Sequence, residues 1–383
     1  MSIYLDYNAS APIDEKVLER MFSVYKSNIG NADSRTHDFG NGARGVVEHA
    51  RGQVASLLDV KRDEVFFTSG ATESNNIIIQ GLGEYGIKEN KKHIVISAIE
   101  HKAVLETAKA MEQYGFEIGV VHPDERGIVT AERIEDSIRN DTLLVCLMHV
   151  NNETGMIQPI KTVGEMLAEK NIFFHVDATQ SCGKLVDELR EIKYDTLSLS
   201  AHKLSGPQGI GALVMKKKRY KLPPVKPIMY GGGQEKGIRP GTLPVALIAG
   251  LGEACEIAQN QYEIKNKKCT EIKNCILELL EESDVDYEIN GDPQYCMPTT
   301  INIRLKGVNS EALMLATKEF CAVSNGSACN SHSYSPSYVL ASMGLSEEQI
   351  EESLRISWGA ESNVSELKSE LGRFLSIAYQ LAK

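Results

Sequence analysis

His175-Val176-Asp177-Ala178-Thr179-Gln180, followed about one strand later by Leu199-Ser200-Ala201-His202-Lys203-Leu204-Ser205-Gly206-Pro207, is the stretch on which the architecture turns. Each half is an apolar run that ends on chemistry: an aspartate closes the first, and a lysine amid small residues closes the second. A buried carboxylate needs a cation or several hydrogen bonds to stay ionised, although an aspartate here could equally cap a helix. Polar groups at the carboxyl ends of successive apolar strands are the arrangement by which open α/β sheets bind ligands. Outward from this pair, residues 65–215 alternate β-branched runs with stretches of helical period, the pattern of β-α-β units feeding a mostly parallel sheet. The strands are expected at 65–68, 93–97, 117–121, 142–150, 172–177, 196–200 and 211–215, with amphipathic helices at 101–114 and 160–170. After them, 247–280 reads as one or two helices with lysines and glutamates outside, followed by short strands such as 300–304 and a helix-dominated tail. The expected division is a large domain over 14–255 and a smaller α+β domain made of 1–13 and 256–383.

A chain of 383 residues fits two or three domains at roughly 150 residues each. With 42% hydrophobic and 24% charged residues it has the composition of a soluble globular protein, which excludes disordered, collagen-like and multi-span membrane classes. The first sixteen residues carry Asp6, Asp14 and Glu15 with no basic leader ahead of an apolar block. The apolar run 143–148 falls far short of the roughly 20 residues that span a bilayer, so a soluble, cytoplasmic protein without a membrane partner is expected. The net charge, 41 − 52 = −11, disfavours direct binding to nucleic acid. Eight cysteines are scattered without a C-x-x-C pair or a His/Cys cluster, so neither a disulfide framework nor a metal site is expected.

Some patterns lack their context. Gly81-Leu82-Gly83-Glu84-Tyr85-Gly86 spells G-x-G-x-x-G but ends a helical stretch instead of joining a strand to a helix. Ser200-Ala201-His202-Lys203 spells the serine-lysine pair of penicillin-binding proteins without their companion segments. Thr68-Ser69-Gly70-Ala71-Thr72-Glu73 does join a strand to a helix, where glycine allows a close turn and free amides with the Thr72 hydroxyl can hold a phosphate. An ordinary capped helix start would look the same. A strand-end lysine, partly desolvated near other cations, can form a Schiff base with an aldehyde. Phosphate loop, strand-end aspartate and strand-end lysine together supply three contacts that pyridoxal 5′-phosphate needs.

The motifs Asp177-Ala178-Thr179-Gln180, Ser200-Ala201-His202-Lys203, Ile99-Glu100-His101-Lys102 and Ser324-Asn325-Gly326-Ser327-Ala328-Cys329 resemble those of cysteine desulfurases, pyridoxal-phosphate enzymes of the class V aminotransferase group. The likeness runs from Tyr4-Leu5-Asp6-Tyr7-Asn8 through His149-Val150-Asn151-Asn152-Glu153-Thr154-Gly155 to Arg355. It implies the fold type I of pyridoxal-phosphate transferases, a large domain with a mostly parallel seven-stranded sheet plus the smaller domain, and a homodimer. By the same resemblance, Lys203 would hold the cofactor covalently, Asp177 would pair with its pyridine nitrogen, Gln180 would bond its phenolic oxygen and His101 would stack on its ring and move protons. Ala71, Thr72, Ser200 and His202 would surround the phosphate, joined by Thr242 of the neighbouring subunit. Asn8, Asn152 and Arg355 would hold the substrate, Arg355 through its carboxylate.

Cys329 is the residue that would separate such an enzyme from an aminotransferase. It lies in 324–337, a stretch of Ser, Asn, Gly and Ala without periodicity that reads as a mobile, exposed loop. By contrast, Cys146 and Cys182, in or beside apolar strands, read as small buried hydrophobes. The implied activity is removal of sulfur from L-cysteine, giving L-alanine and a persulfide on Cys329. A sulfur-acceptor protein for iron–sulfur cluster assembly, transfer-RNA thiolation or DNA phosphorothioation would then take the sulfur. Asn325, Asn330 and Pro240 depart from residues common in that family and bear on which acceptor docks. The alternatives are a selenocysteine lyase or aminotransferase of the same fold, and an inactive sulfur-relay scaffold.

Overall fold

The structure, a computed structural model, describes residues 2–27, 29–326 and 336–382; Cys329 and most of the segment around it lie outside the described residues. Seven strands form the main sheet: β1 (Val65–Thr68), β2 (His93–Ser97), β3 (Glu117–Val121), β4 (Thr142–Cys146), β5 (Phe173–Asp177), β6 (Thr196–Ser200) and β7 (Gly211–Met215). Their order is β1-β7-β6-β5-β4-β2-β3, and β7 alone runs antiparallel to its neighbours. Alternate residues face opposite sides. Phe67, Val95 and Val145 join one apolar cluster, and Phe66, Ile94 and Leu144 join another across the sheet. Both faces are covered, which is why these strands read as continuous apolar runs.

The strand expected at 142–150 stops at Cys146. Beyond it the chain still follows β5, with the amides of Leu147 and His149 donating to the carbonyls of His175 and Asp177. It then folds back on itself at 150–157 through a Val150–Ile157 bridge, and the turn thus formed presents Asn152 and Glu153. The region 247–280 is one helix, Val245–Glu281. Its first half packs in the main core through Ile248, Leu251 and Cys255, and its second half packs in a separate cluster through Ile272, Ile276 and Leu280. That second cluster also holds Ile3 and Leu5, the antiparallel strands Thr300–Leu305 and Ser353–Ser357, and the helix Val364–Leu381. A division after residue 255 therefore falls inside a continuous helix that belongs to both cores.

Cys146 and Cys182 are each 1% exposed. The seven described cysteines are free thiols. No helix among the described residues is long and apolar enough to cross a membrane.

Candidate active site

The carboxyl ends of β1, β2, β4, β5 and β6 open into one cleft of about 560 Å³. β5 ends on Asp177, and β6 ends on Ser200 followed by a tight turn, Ala201–Lys203. Lys203 and Asp177 line the cleft together with His101, which follows β2, and Thr72, which follows β1. Asn8, Ala71, Asn152, Gln180, Ser200, His202 and Arg355, also expected, stand on its walls. Thr242 is exposed and is not among the residues that line the cleft of its own chain.

Asp177 is buried, and its carboxylate is held from two sides. Asn75 Nδ2 donates to Oδ2 at 2.8 Å, while the Thr179 amide donates to Oδ1 at 3.0 Å and the Thr179 hydroxyl also bonds Oδ1. Behind it, His175 lies 2.9 Å from Asn75 Oδ1 and 2.8 Å from Thr196 Oγ1. Burial pushes His175 down to about 4, against the pull of the Asp177 charge, so the imidazole is neutral. The Lys203 ammonium donates to the carbonyls of Asn8 at 2.5 Å and Ala9 at 2.6 Å. Gln180 Nε2 donates to the same Asn8 carbonyl at 3.0 Å.

The end of the cleft at which a phosphate is expected is built largely by backbone. Gly70 sits at φ 153°, a conformation that disfavours side chains, and starts the helix Ala71–Gly81. The first amides of a helix have no intrahelical acceptor and point out of its end, a setting that suits an anion. Ser200 and His202 face this end; burial and the nearby Lys203 charge push His202 down to about 4, leaving it a neutral hydrogen-bonding group. Across the cleft, His101 caps the helix Lys102–Ala110, with its Nδ1 accepting from the Ala103 amide at 3.1 Å. In the neutral ring this leaves the proton on Nε2.

Arg355, 3% exposed, donates from Nη1 to the Asn152 carbonyl at 2.8 Å and from Nη2 to Asp6 Oδ1 at 2.5 Å. Asp6 was not expected here. Its carboxylate takes up part of the guanidinium fork, and Nε has no hydrogen-bond partner among the described residues. Gln180 Oε1 and Asn152 Oδ1 are likewise buried without a hydrogen-bond partner among the described residues. Buried polar atoms of this kind are costly unless something pairs with them. The three orphans, the lysine and the held aspartate fit a polar, anionic cofactor and a carboxylate substrate, and pyridoxal 5′-phosphate meets those demands.

One neighbouring carboxyl, that of Glu100, is fully buried. Glu100 is pushed up to about 8 by burial; Ser97 Oγ donates to its Oε1 at 2.6 Å and the Met148 amide at 2.7 Å. It therefore adds no full negative charge beside Asp177. Asn75 and Thr179 also escaped the sequence reading. Asn75 lies three residues after Thr72 on the same helix, one turn inward, and that helical spacing was the available signal.

A sheet with this order, a lysine and an aspartate at adjacent strand ends, and a helix-start anion site define a class of pyridoxal-phosphate transferase folds. The model of the family "Aminotransferase class-V" matches residues 3–369, and the chain belongs to that family. Cysteine desulfurase IscS of Vibrio cholerae serotype O1 is 42% identical over 370 residues, covering 96% of this chain and 90% of that protein. A solved NifS-like protein superposes with a TM-score of 0.90 at 33% identity, over 99% of this chain and 100% of that one. The structure of SspA in complex with cysteine superposes at 0.82 with 36% identity, over 94% and 100% of the two chains.

Proposed function

We propose that this chain is a cysteine desulfurase that uses pyridoxal 5′-phosphate and carries the released sulfur on Cys329. The observation that carries this reading is the place of Gly326. It lines the same cleft as Lys203 and Arg355, so the chain enters the segment containing Cys329 at the wall of the site. The reaction balances as L-cysteine plus the Cys329 thiol giving L-alanine plus the Cys329 persulfide: the Cβ–S bond breaks, an S–S bond forms, the sulfur is oxidised and the carbon reduced.

Bound pyridoxal phosphate supplies an aldehyde for amines and an electron sink for the substrate's Cα. Lys203 would hold it, Asp177 would pair with its ring nitrogen, Gln180 would bond its phenolic oxygen, and Ala71, Thr72, Ser200 and His202 would surround its phosphate. Arg355 and Asn152 fix the substrate carboxylate, with Asn8 bracing them: its Nδ2 donates to the Asn152 carbonyl at 3.1 Å. Lys203 Nζ moves the Cα proton, and His101 Nε2 serves proton transfer on the opposite wall. Only a thiolate is nucleophilic, so a local acceptor for the Cys329 proton sets the rate of attack.

A homodimer completes the site in this reading, with Thr242 reaching the phosphate of the neighbouring subunit. Supporting it, the helix Glu15–Ser27 leaves Leu18, Phe22 and Tyr25 exposed at i, i+4 and i+7, an apolar stripe of the kind that marks an interface. The final sulfur acceptor is a separate protein.

Intact-mass measurement after adding L-cysteine to the cofactor-loaded protein tests the assignment. A one-sulfur gain located at Cys329, with alanine released, is expected. Cys329→Ser should keep the cofactor and show no gain, whereas Lys203→Ala should show no cofactor trapped on the chain by borohydride. Desulfuration by the serine variant at the parental rate would remove Cys329 from the mechanism.

A further inference from the structure

The two ends of the connection that carries Cys329 meet at one carboxyl group. On the downstream side, Ser337 Oγ donates to Glu153 Oε2 at 2.5 Å and accepts from the Leu340 amide at 3.1 Å, capping the helix Tyr338–Ser342. On the upstream side, Gly326 lies at φ 83°, and a Cβ there would fall 2.5 Å from the same Oε2 and 2.9 Å from Cδ. Only glycine can lie so flat on the carboxyl. Both ends were expected within an exposed loop, yet Ser324 and Ser337 are 5% and 3% exposed.

Each end is also tied to the substrate side of the cleft. Ser324 and Arg355 exchange backbone hydrogen bonds in both directions, at 3.2 and 2.5 Å. The Tyr338 hydroxyl donates to the carbonyl of Glu100, the residue before His101, at 2.7 Å. Glu153 itself follows Asn152 in the turn after β4 and is fixed there, its amide donating to Asn151 Oδ1 at 2.9 Å and its carbonyl accepting from Asn302 Nδ2 at 3.1 Å. Burial pushes its carboxyl up to about 7, opposed first by the hydrogen bond from Ser337 and then by the charge of Arg355. A carboxyl that costs this much to bury is unusual packing material, since an apolar side chain of similar size would fill the space without penalty.

We propose that Glu153 is a positioning residue for sulfur transfer, holding Gly326 and Ser337 against one another so that the connection bearing Cys329 starts and ends at the cleft. The inference rests on the desulfurase reading above. Its physical content is effective concentration: a thiol on a connection with both ends pinned beside the substrate samples a smaller volume than one whose end has come free. Glu153 does not contact the substrate in this account, so its loss should affect sulfur transfer far more than cysteine binding.

The test uses cofactor-loaded full-length protein, with two measurements: the cysteine affinity from the colour change of the bound cofactor, and the single-turnover rate of persulfide formation at Cys329 by quenched mass spectrometry. Glu153→Ala should slow persulfide formation about tenfold, short of the roughly hundredfold that misplacing a reacting group by about 1 Å can cost, while the cysteine Kd stays within about twofold. Glu153→Gln, which keeps an oxygen to accept from Ser337, should restore the rate to within about threefold of the parent. Ser337→Ala removes the same bond from its other partner and should slow the step in the same direction, which covers a Glu153→Ala protein too unstable to assay. A parental persulfide rate in both alanine variants, or a cysteine affinity lost in parallel with the rate, overturns the positioning role. A loaded parent that forms no persulfide at Cys329 overturns the desulfurase reading instead, a result seen before any variant is made.

Discussion

Asp177 shows how a residue chosen by its strand position becomes useful only through its neighbours. Asp177 is only 5% exposed, and it accepts from Asn75 and from both donors of Thr179. The neutral His175 behind Asn75 orients that amide so that its NH₂ faces the carboxylate and its oxygen faces the ring. Replacing Asn75 by Ala removes one support from Asp177 and leaves His175 Nε2 with a poorer partner. The expected cost is about 1–3 kcal/mol of stability, seen in thermal melts, together with weaker retention of the cofactor on dialysis. Unchanged melting and retention would mean that Thr179 alone suffices. The helical spacing from Thr72 puts Asn75 near the site but does not disclose its partner, which sits on a strand a hundred residues away.

At the scale of elements, the long helix Val245–Glu281 is the member that joins the two cores. Where it crosses the helix Asp38–Leu58, Gly252 lies against Ala50 so closely that a Cβ would sit 2.7 Å from both Cα and Cβ of Ala50. In an isolated helix Gly→Ala gains about 1 kcal/mol of propensity. Here the obstacle is backbone, which cannot rotate away, so overpacking outweighs propensity. Gly252→Ala should destabilise by about 1–3 kcal/mol, a shift of several degrees in Tm. A rise in Tm would show that the helices separate at little cost. The helix itself was legible from its period over 247–280, but its continuity across both cores was not, since one helix or two present the same local pattern. The strand expected at 142–150 ends early for a related reason: Leu147 and Met148 are as buried as the strand they follow and the chain still bonds to β5, so the apolar run does not mark where the regular strand stops.

For the whole molecule, the exposed stripe Leu18, Phe22 and Tyr25 and the exposed Thr242 belong to the proposed dimer. Phe22→Asp places a charge in the middle of that stripe, where an interface would have to desolvate it. Sedimentation should show a shift from dimer towards monomer, and the cofactor should dissociate faster if Thr242 reaches across; a dimer of parental stability would place the interface elsewhere. What the residues alone determined was the sheet and the polar groups that stand at its strand ends, because strand periodicity is local and because aspartate and lysine at strand ends declare themselves by being polar where the run is apolar. Tertiary structure decided the rest: Asp6 beside Arg355, Asn75 beneath Asp177, and Glu153 between Gly326 and Ser337. Those contacts join residues distant in the chain, and hydrogen bonds between side chains on different elements leave no period in a sequence from which to read them.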